Sequence, residues 1–451
     1  MNDKHFPVEA KPRRRVLRQL NLALTRWMMC LPNFAMLTLR EPNSASPIIL
    51  PDELIVEIIS WLPVKTLMKF RCVNKFFKTI ITDPHFVQMH LKKSSRNPHV
   101  AQFWRPDFSK ETSFVTLSIP DLLQTKITQL HDSPFHDRLN NYYLNGRGQV
   151  IGSCNGLICF IYYSFYYRTT DCLCFWNPAM RTVSEFTTTV CRQRCGCCVK
   201  YSFGYDNSAG TYKVVAFHVV EKEKQNGMNN PKSVVKVFTL GDNSWRDIQC
   251  FPVLPLYWSD YDKNSGVYNN GVYLSGTINW LALRNYFGSY NEPDWFKGVT
   301  VEQYVIVSLD LSTESYTQMM LPRGFVEVPP RRFQPKIVVL MNCLCFGHDF
   351  ERSHFVIWKM KDFGVQESWV QLFRIRYETF FPRGRKYIFE PLNFLPLYLS
   401  KNGLTFIFAT DEGGLAFLYN CIDNKIEKIR PTNRIWWLWV TNHIESLVPT
   451  S

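Results

Sequence analysis

Several things are missing from this sequence, and each absence narrows its function. No Asn begins an Asn-x-Ser/Thr glycosylation sequon. No clean secretory leader is visible, because the apolar stretch from Leu20 is broken by Arg26, Pro32 and Asn33. The same interruptions, with Arg40 close behind, leave no run near the ~20 apolar residues that a membrane-spanning helix needs. There is no Gly-x-Ser-x-Gly elbow, no phosphate-cradling Gly-x-x-x-x-Gly-Lys and no His-Glu-x-x-His. The expected setting is reducing, in the cytoplasm and/or nucleus, with no membrane contact and no cofactor.

What is present points to β structure. Of 451 residues, 46% are hydrophobic and 15% aromatic, with 34 Phe, 21 Tyr and 13 Trp. Such side chains favour pleated, half-buried surfaces. The net charge of +14 would suit nucleic acid if it were concentrated on one folded face. It is not: residues 1–49 hold +5, residues 50–100 hold +4, and the remaining 351 share only +5. The 14 Cys do not read as a disulfide framework. Cys72, Cys159, Cys250, Cys345 and Cys421 sit singly in apolar runs, where a thiol behaves as a small hydrophobe.

Three segments follow. Residues 1–48 form a basic extension, with Lys11-Pro12-Arg13-Arg14-Arg15 and a Pro/Ser-rich linker, expected to be disordered. Residues 49–93 read as three short helices. Pro51 suits a first helical position, and Leu54, Ile55, Ile58, Ile59 and Leu62 recur at helical spacing before Pro63. A second helix is expected from Val64 until Asp83-Pro84 stops it, and a third from Phe86 to Leu91. So small a unit buries little apolar surface and calls for a partner.

Residues 100–445 change to strands and turns. A turn feeding an apolar strand recurs at Asn155-Gly156-Leu157, Gly276-Thr277-Ile278, Asn342-Cys343-Leu344 and Asn402-Gly403-Leu404. A hairpin recurs at Trp176-Asn177-Pro178, Val237-Phe238, Leu309-Asp310, Trp358-Lys359-Met360 and Tyr419-Asn420. The interval is somewhat longer than the usual 40–50 residues per blade, which suggests a β-propeller with long loops; a β-sandwich pair is the alternative. The expected fold is therefore α+β multidomain, with a small helical module followed by a mainly-β, propeller-like domain.

The helical segment resembles an F-box. The residues that carry the likeness are Leu50-Pro51-Asp52-Glu53-Leu54-Ile55, Leu62-Pro63-Val64-Lys65, Phe70-Arg71-Cys72-Val73, Asp83-Pro84 and His90-Leu91. The β segment is similar to the F-box-associated, Kelch-like domain of the large plant F-box family. There the likeness rests on Ser153-Cys154-Asn155-Gly156-Leu157, Trp176-Asn177-Pro178, Phe203-Gly204-Tyr205-Asp206, Tyr212-Lys213-Val214-Val215 and Gly271-Val272-Tyr273. Three positions depart from the pattern: Trp61 replaces a polar residue, Phe77 a common Trp, and Asn74 a common Cys or Ser.

The resemblance implies a substrate receptor of an SCF-type ubiquitin ligase, a non-catalytic adaptor. Its partners would be a Skp-type linker, through it a cullin and a RING subunit, and a target protein. Linker contacts are expected at Leu50, Pro51, Leu54, Ile58, Leu62, Pro63 and Leu67, with Val73 and Phe77 behind them. Aromatic, Gly-rich stretches supply the candidates for target binding: Tyr257, Trp258, Tyr261, Tyr286, Phe287, Tyr290 and Trp295. The rival classes are a propeller-fold enzyme, which needs convergent carboxylates or metal ligands, and a nucleic-acid-binding protein.

No metal site is expected. The crowded Cys191, Cys195, Cys197 and Cys198, with Cys172 and Cys174 upstream, lack the paired knuckles of a zinc motif. His348 and His354 are expected at the surface, and Cys72 on the buried side of the second helix, away from any ubiquitin-accepting role.

Overall fold

A computed structural model describes residues 51–95, 99–104, 113–118, 147–163, 172–189, 199–220, 232–242, 244–256, 271–284, 298–329, 335–380, 394–400, 402–410, 416–429 and 440–450. The chain divides into two compact units between His90 and Leu91.

In the first unit, α1 spans Asp52–Ile59, and Pro51 stands just before it in extended conformation (φ −53°, ψ 145°), as its cap and not its first turn. Pro63 precedes α2 (Val64–Phe70) in the same way. The expected second helix is in fact two. After Phe70 the chain turns, and Asn74 adopts an extended conformation (φ −156°) to cap α3 (Lys75–Thr82), its side chain accepting the Phe77 N–H at 2.9 Å. A capping side chain offers the backbone an alternative to continuing the helix, and here that alternative prevails. The Asp83 carboxylate then accepts the N–H groups of His85 and Phe86 at the start of α4 (Pro84–Ser94). Removing the Asn74 cap with Asn74→Ala is expected to cost about 1 kcal/mol, read as faster amide exchange across α3. Ile59, Leu62, Val64, Leu67, Phe70, Ile81, Phe86 and Val87 are buried. Buried His90 places Nε2 3.0 Å from the Leu62 carbonyl, tying α4 to the α1–α2 turn.

The second unit begins with β1 (His99–Trp104) and β2 (Ser113–Ser118), then builds five antiparallel meanders. Blade 1 holds β3 (Arg147–Cys154), β4 (Leu157–Tyr163), β5 (Cys172–Asn177) and β6 (Thr182–Val183), with a short β7 (Thr187–Thr188) also on β5. Blade 2 holds β8 (Lys200–Asp206), β9 (Thr211–Val220), β10 (Lys232–Thr239) and β11 (Trp245–Ile248). Blade 3 holds β12 (Val272–Leu274), β13 (Thr277–Leu283), β14 (Tyr304–Asp310) and β15 (Tyr316–Met320). Blade 4 holds β16 (Lys336–Leu340), β17 (Cys343–Phe350), β18 (His354–Met360) and β19 (Trp369–Arg376). Blade 5 holds β20 (Phe394–Leu399), β21 (Thr405–Thr410), β22 (Ala416–Asn420) and β23 (Lys425–Ile429).

The first strands β3, β8, β12, β16 and β20 neighbour one another in that order. Between β20 and β3 lies β24 (Val440–His443), which pairs with β1, itself paired with β2. A three-stranded sheet made from both ends of the domain thus joins the last blade to the first. The arrangement is a five-blade propeller-like domain with a closing sheet; it is not a sandwich.

Turn chemistry sets each meander. The first two strands of blades 1, 3 and 4 are joined through residue pairs with positive φ: Asn155-Gly156 (50°, 83°), Ser275-Gly276 (47°, 92°) and Met341-Asn342 (52°, 57°). This is the backbone that tight hairpins require. At the later hairpins, Asn177, Asp310 and Asn420 use Oδ1 to accept a turn N–H from Met180, from Ser312 and Thr313, and from Ile422 respectively. Among the described residues, most aromatic side chains of the β-domain are buried. Phe175 meets Phe203 across blades 1 and 2 at 5.6 Å, and Phe373 stacks on Phe406 across blades 4 and 5 at 5.3 Å. Trp280 and Tyr304 are fully buried in the core shared by blades 2 to 4.

Candidate docking surface

Helix α1 carries apolar side chains on two sides, and only one is covered. Ile55, Ile59 and Leu62 repeat at helical spacing; Ile59 and Leu62 are buried and Ile55 half-buried. Leu54, Ile58 and Trp61 form the other stripe and stand 49%, 39% and 40% exposed. Exposed Pro51 extends this stripe by one turn toward the helix start. A lone exposed Leu is ordinary, but a contiguous apolar stripe on a two-turn helix marks an interaction surface. Trp61 is fixed at one edge, its indole N–H donating to Glu57 Oε1 at 3.2 Å. Ser60, on the covered side, returns its hydroxyl to the Glu57 carbonyl at 2.6 Å.

The other predicted contacts divide by burial. Pro63 and Val73 are exposed, Val73 by 52%. Phe77 is half-buried and stacks on Phe70 at 5.3 Å, while its neighbour Phe76 is the exposed ring of the pair. Leu62 and Leu67 are inside, so in this unit they hold helices together and present no free surface; their helical spacing could not distinguish the two sides. Leu50 lies outside the described residues, as do Tyr257, Trp258, Tyr261, Tyr286, Phe287, Tyr290 and Trp295. Sequence reasoning passed over Phe76; the exposed partner of two adjacent aromatics at a capped helix start was the available signal.

Two cysteine expectations are corrected. Cys72 is exposed, because the chain has already left α2 at Phe70; its thiol points back to the Met68 carbonyl at 3.4 Å. Cys250 is exposed as well, Cys421 intermediate, and only Cys159 and Cys345 of the five are buried. Burial pushes the Cys345 thiol up to about 12 and raises those of Cys159 and Cys174 as well, which leaves them unreactive. Cys191, Cys195, Cys197 and Cys198 lie outside the described residues.

His348 is likewise buried and not at the surface. Its Nδ1 is 2.9 Å from the Asp349 carbonyl, and its Nε2 accepts the Trp358 indole N–H at 3.2 Å. Burial holds its pKa below the ordinary value, so it stays neutral between the Phe325 and Phe346 rings. The Asp349 carboxyl, raised by burial, is bonded by the Tyr377 hydroxyl and the Arg352 N–H. Every polar atom of this group has a structural use, and it is a packed core histidine. Among the described residues no group of His, Cys, Asp and Glu could hold a metal ion, and no helix is long and apolar enough to cross a membrane.

Comparison with known proteins agrees with this geometry. Residues 48–89 match the F-box domain, and residues 107–371 match the F-box associated beta propeller domain. An F-box/kelch-repeat protein of Arabidopsis thaliana is 27% identical over 390 residues, covering 84% of this chain and 90% of that protein. The F-box protein CPR1 of the same plant is 25% identical over 342 residues, covering 72% of this chain and 73% of its own.

Proposed function

The chain belongs to the F-box proteins that carry an F-box associated beta propeller domain, and from that premise we propose that it is the substrate-recognition subunit of an SCF-type ubiquitin ligase. The F-box implies a Skp-type partner in general terms. In this reading the linker covers the exposed stripe of α1 and connects the chain to a cullin and its RING subunit. The β-domain captures a target protein, in the cytoplasm or nucleus. The protein performs no bond chemistry; it raises the effective concentration of target lysines beside a ubiquitin-charged enzyme.

The observation that carries this reading is the second apolar side of α1, where Leu54 and Ile58 stand exposed. The test is Leu54→Asp with Ile58→Asp in the full chain. Both side chains are exposed, so the unit should still fold, while two charges in a desolvated interface should reduce linker capture at least about a hundredfold. Linker and cullin should vanish from an affinity capture under blocked degradation, and the target should remain. Undiminished co-purification of the linker would overturn the assignment.

For the target side, the β-domain supports one expectation about place. Chain segment 257–270 follows Leu256, and segment 285–297 follows Arg284. Leu256 donates its N–H to the Leu281 carbonyl at 2.8 Å, and Pro255 bridges Ala282, so the two segments leave from neighbouring points of blade 3. Tyr257→Ala with Trp258→Ala and Tyr286→Ala with Phe287→Ala are expected to lose target capture while keeping the linker, as read by quantitative affinity capture. Retention of every captured protein by both variants would exclude these aromatics from recognition.

A further inference from the structure

The turn between β17 and β18 of blade 4 gathers cations that pair with nothing. Glu351 and Arg352 form it with φ of 51° and 52°, a backbone that long side chains seldom adopt. Three bonds hold it in place. Asp349 Oδ2 accepts the Arg352 N–H at 3.0 Å, Glu327 Oε1 the Glu351 N–H at 2.8 Å, and the Ser353 carbonyl the Tyr377 N–H at 3.0 Å. Just beyond the turn, His354 stands opposite Arg376 across β18 and β19, and Val356 opposite Arg374. Residues two apart on a strand point to one side, so His354, Arg374 and Arg376 share a face. Phe350, opposite His354 on β17, lies on the same face, and the Arg374 guanidinium sits 4.3 Å from the centre of its ring. Burial, then Arg374 and Arg376, hold the His354 pKa below its ordinary value, which keeps both cations close to that ring. Arg352, Arg374 and Arg376 are all exposed, and none forms a salt bridge among the described residues. The nearby acids Glu327, Glu351 and Glu378 are likewise unpaired with them.

Three like charges held on one turn and one strand face repel, and an anion between them removes that repulsion. A guanidinium stacked on an aromatic ring keeps its fork of N–H donors in a fixed plane, the geometry that a carboxylate accepts in two bonds. We propose that Arg352, Arg374 and Arg376 form an anion-binding site that receives acidic side chains of the captured target protein. This rests on the target-capture reading above and gives it a partner chemistry. The place fits that reading. The Phe325 ring meets Tyr304, at the start of β14, at 5.4 Å, and His348, near the end of β17, at 5.2 Å. The β17–β18 turn therefore lies at the same end of the domain as the β13–β14 connection, which carries Tyr286, Phe287, Tyr290 and Trp295. Aromatic anchors beside fixed arginines suit a segment that mixes apolar and acidic residues. Glu327 and Glu351 select among anions, because they oppose a phosphate dianion or a nucleic-acid backbone more strongly than a single carboxylate.

The experiment is binding of the full chain to a labelled peptide with a Glu-Glu-Asp core flanked by Gly and Ser, beside its Gln-Gln-Asn counterpart. The acidic peptide should bind about tenfold or more tighter than the amide one, and less so in high salt. Arg374→Gln with Arg376→Gln should abolish that preference at an unchanged denaturant midpoint, since both side chains are exposed. Arg374→Lys with Arg376→Lys keeps the charge but loses the planar fork, and should recover only part of the affinity. Arg352→Gln should weaken binding in the same direction. Equal affinity of the wild type for both peptides, or an undiminished preference in the double Gln variant, would overturn the inference. A phosphoserine peptide that binds about tenfold tighter than the Glu peptide, and loses that advantage in the Gln variant, would overturn it in favour of phosphate. Loss of binding to a single-stranded RNA oligonucleotide, with peptide binding unchanged, would overturn it in favour of nucleic acid. Capture of the Skp-type linker separates the two readings, because the Gln variant should keep it in full. If the peptide result fails while Leu54→Asp with Ile58→Asp still abolishes linker capture, only the arginine site falls; if that α1 variant captures the linker normally, the ligase reading falls and the peptide result stands on its own.

Discussion

Asn177→Ala is expected to destabilise the β-domain by about 2–4 kcal/mol, an effect well beyond that of a typical turn substitution. Asn177 ends β5 and is fully buried. Its Oδ1 accepts the Met180 N–H at 3.1 Å, which shapes the hairpin of blade 1. Its Nδ2 donates to the carbonyls of Ser446 and Val448 at 3.0 and 2.8 Å. Those carbonyls belong to a segment that is buried although it has no strand partner: Ser446, Leu447, Val448 and Thr450 are all nearly inaccessible. Truncation leaves two buried carbonyls without a donor, and an unsatisfied buried group costs about 1–3 kcal/mol. The loss should appear as a lower denaturant midpoint with unchanged slope. Gly156 reinforces the same junction. Its φ of +83° suits glycine, and a Cβ there would lie 2.3 Å from Ser446 Oγ and 2.6 Å from the Ile444 carbonyl. Gly156→Ala should therefore destabilise the domain by displacing Ser446 and Ile444, which also disturbs the Asn177 bonds to Ser446. Removing residues 440–451 altogether should be worse, since it takes away β24 and opens the ring between blades 5 and 1. A molecule that melts as cooperatively as the intact chain after that deletion would show that closure contributes little.

The propeller was legible because its turns are chemically explicit. The five hairpins visible in the sequence are the third and fourth strands of the five blades, and each begins with a strand rich in apolar residues, such as Phe175-Trp176 or Tyr304–Val307. Four of the five first turns were also visible; the fifth, in blade 2, hid because Asn207-Ser208-Ala209-Gly210 leads into Thr211-Tyr212-Lys213 and not straight into an apolar run. The closing sheet was not legible. Its strands β1, β2 and β24 come from sequence more than 300 residues apart, and no local periodicity reports a pairing between the ends of a domain. At the docking unit, periodicity identified Leu54, Ile55, Ile58, Ile59 and Leu62 but could not divide them into the covered side (Ile59, Leu62) and the open side (Leu54, Ile58), because both repeat at i, i+4 or i, i+3. Cys72 failed for a related reason. Its placement assumed one continuous helix from Val64, and the cap at Asn74 rotates everything after Phe70.

Lys213→Met should destabilise the protein by about 3–5 kcal/mol near neutral pH, and by progressively less as the solution is acidified. Lys213 lies on β9, 7% exposed, with Nζ 2.8 Å from Asp206 Oδ2, whose side chain is 3% exposed, and 3.2 Å from Glu314 Oε1. It also donates to the Leu311 carbonyl. Asp206 closes the first turn of blade 2, whereas Leu311 and Glu314 belong to the last turn of blade 3, so one ammonium group joins two blades. Arg246 on β11 completes the set by pairing with Glu314, and the Ser312 hydroxyl sits 3.0 Å from Asp206 Oδ1. Burial raises the pKa of both carboxylates, but Lys213, the turn N–H groups and Ser312 outweigh it at Asp206, and Arg246 with Lys213 outweighs it at Glu314, leaving both below their ordinary values. A depressed folded pKa contributes stability above the unfolded value of about 4, and that stability is lost as pH falls through the folded value. The wild-type protein should thus weaken in acid. In Lys213→Met the balance reverses for Asp206, which becomes a buried carboxylate without its cation and gains from protonation. The difference in unfolding free energy between wild type and variant should be largest near pH 7 and contract toward pH 3. A difference independent of pH would mean that Lys213 acts through packing of its aliphatic stem, and the cross-blade ion pair would then contribute nothing to the union of blades 2 and 3.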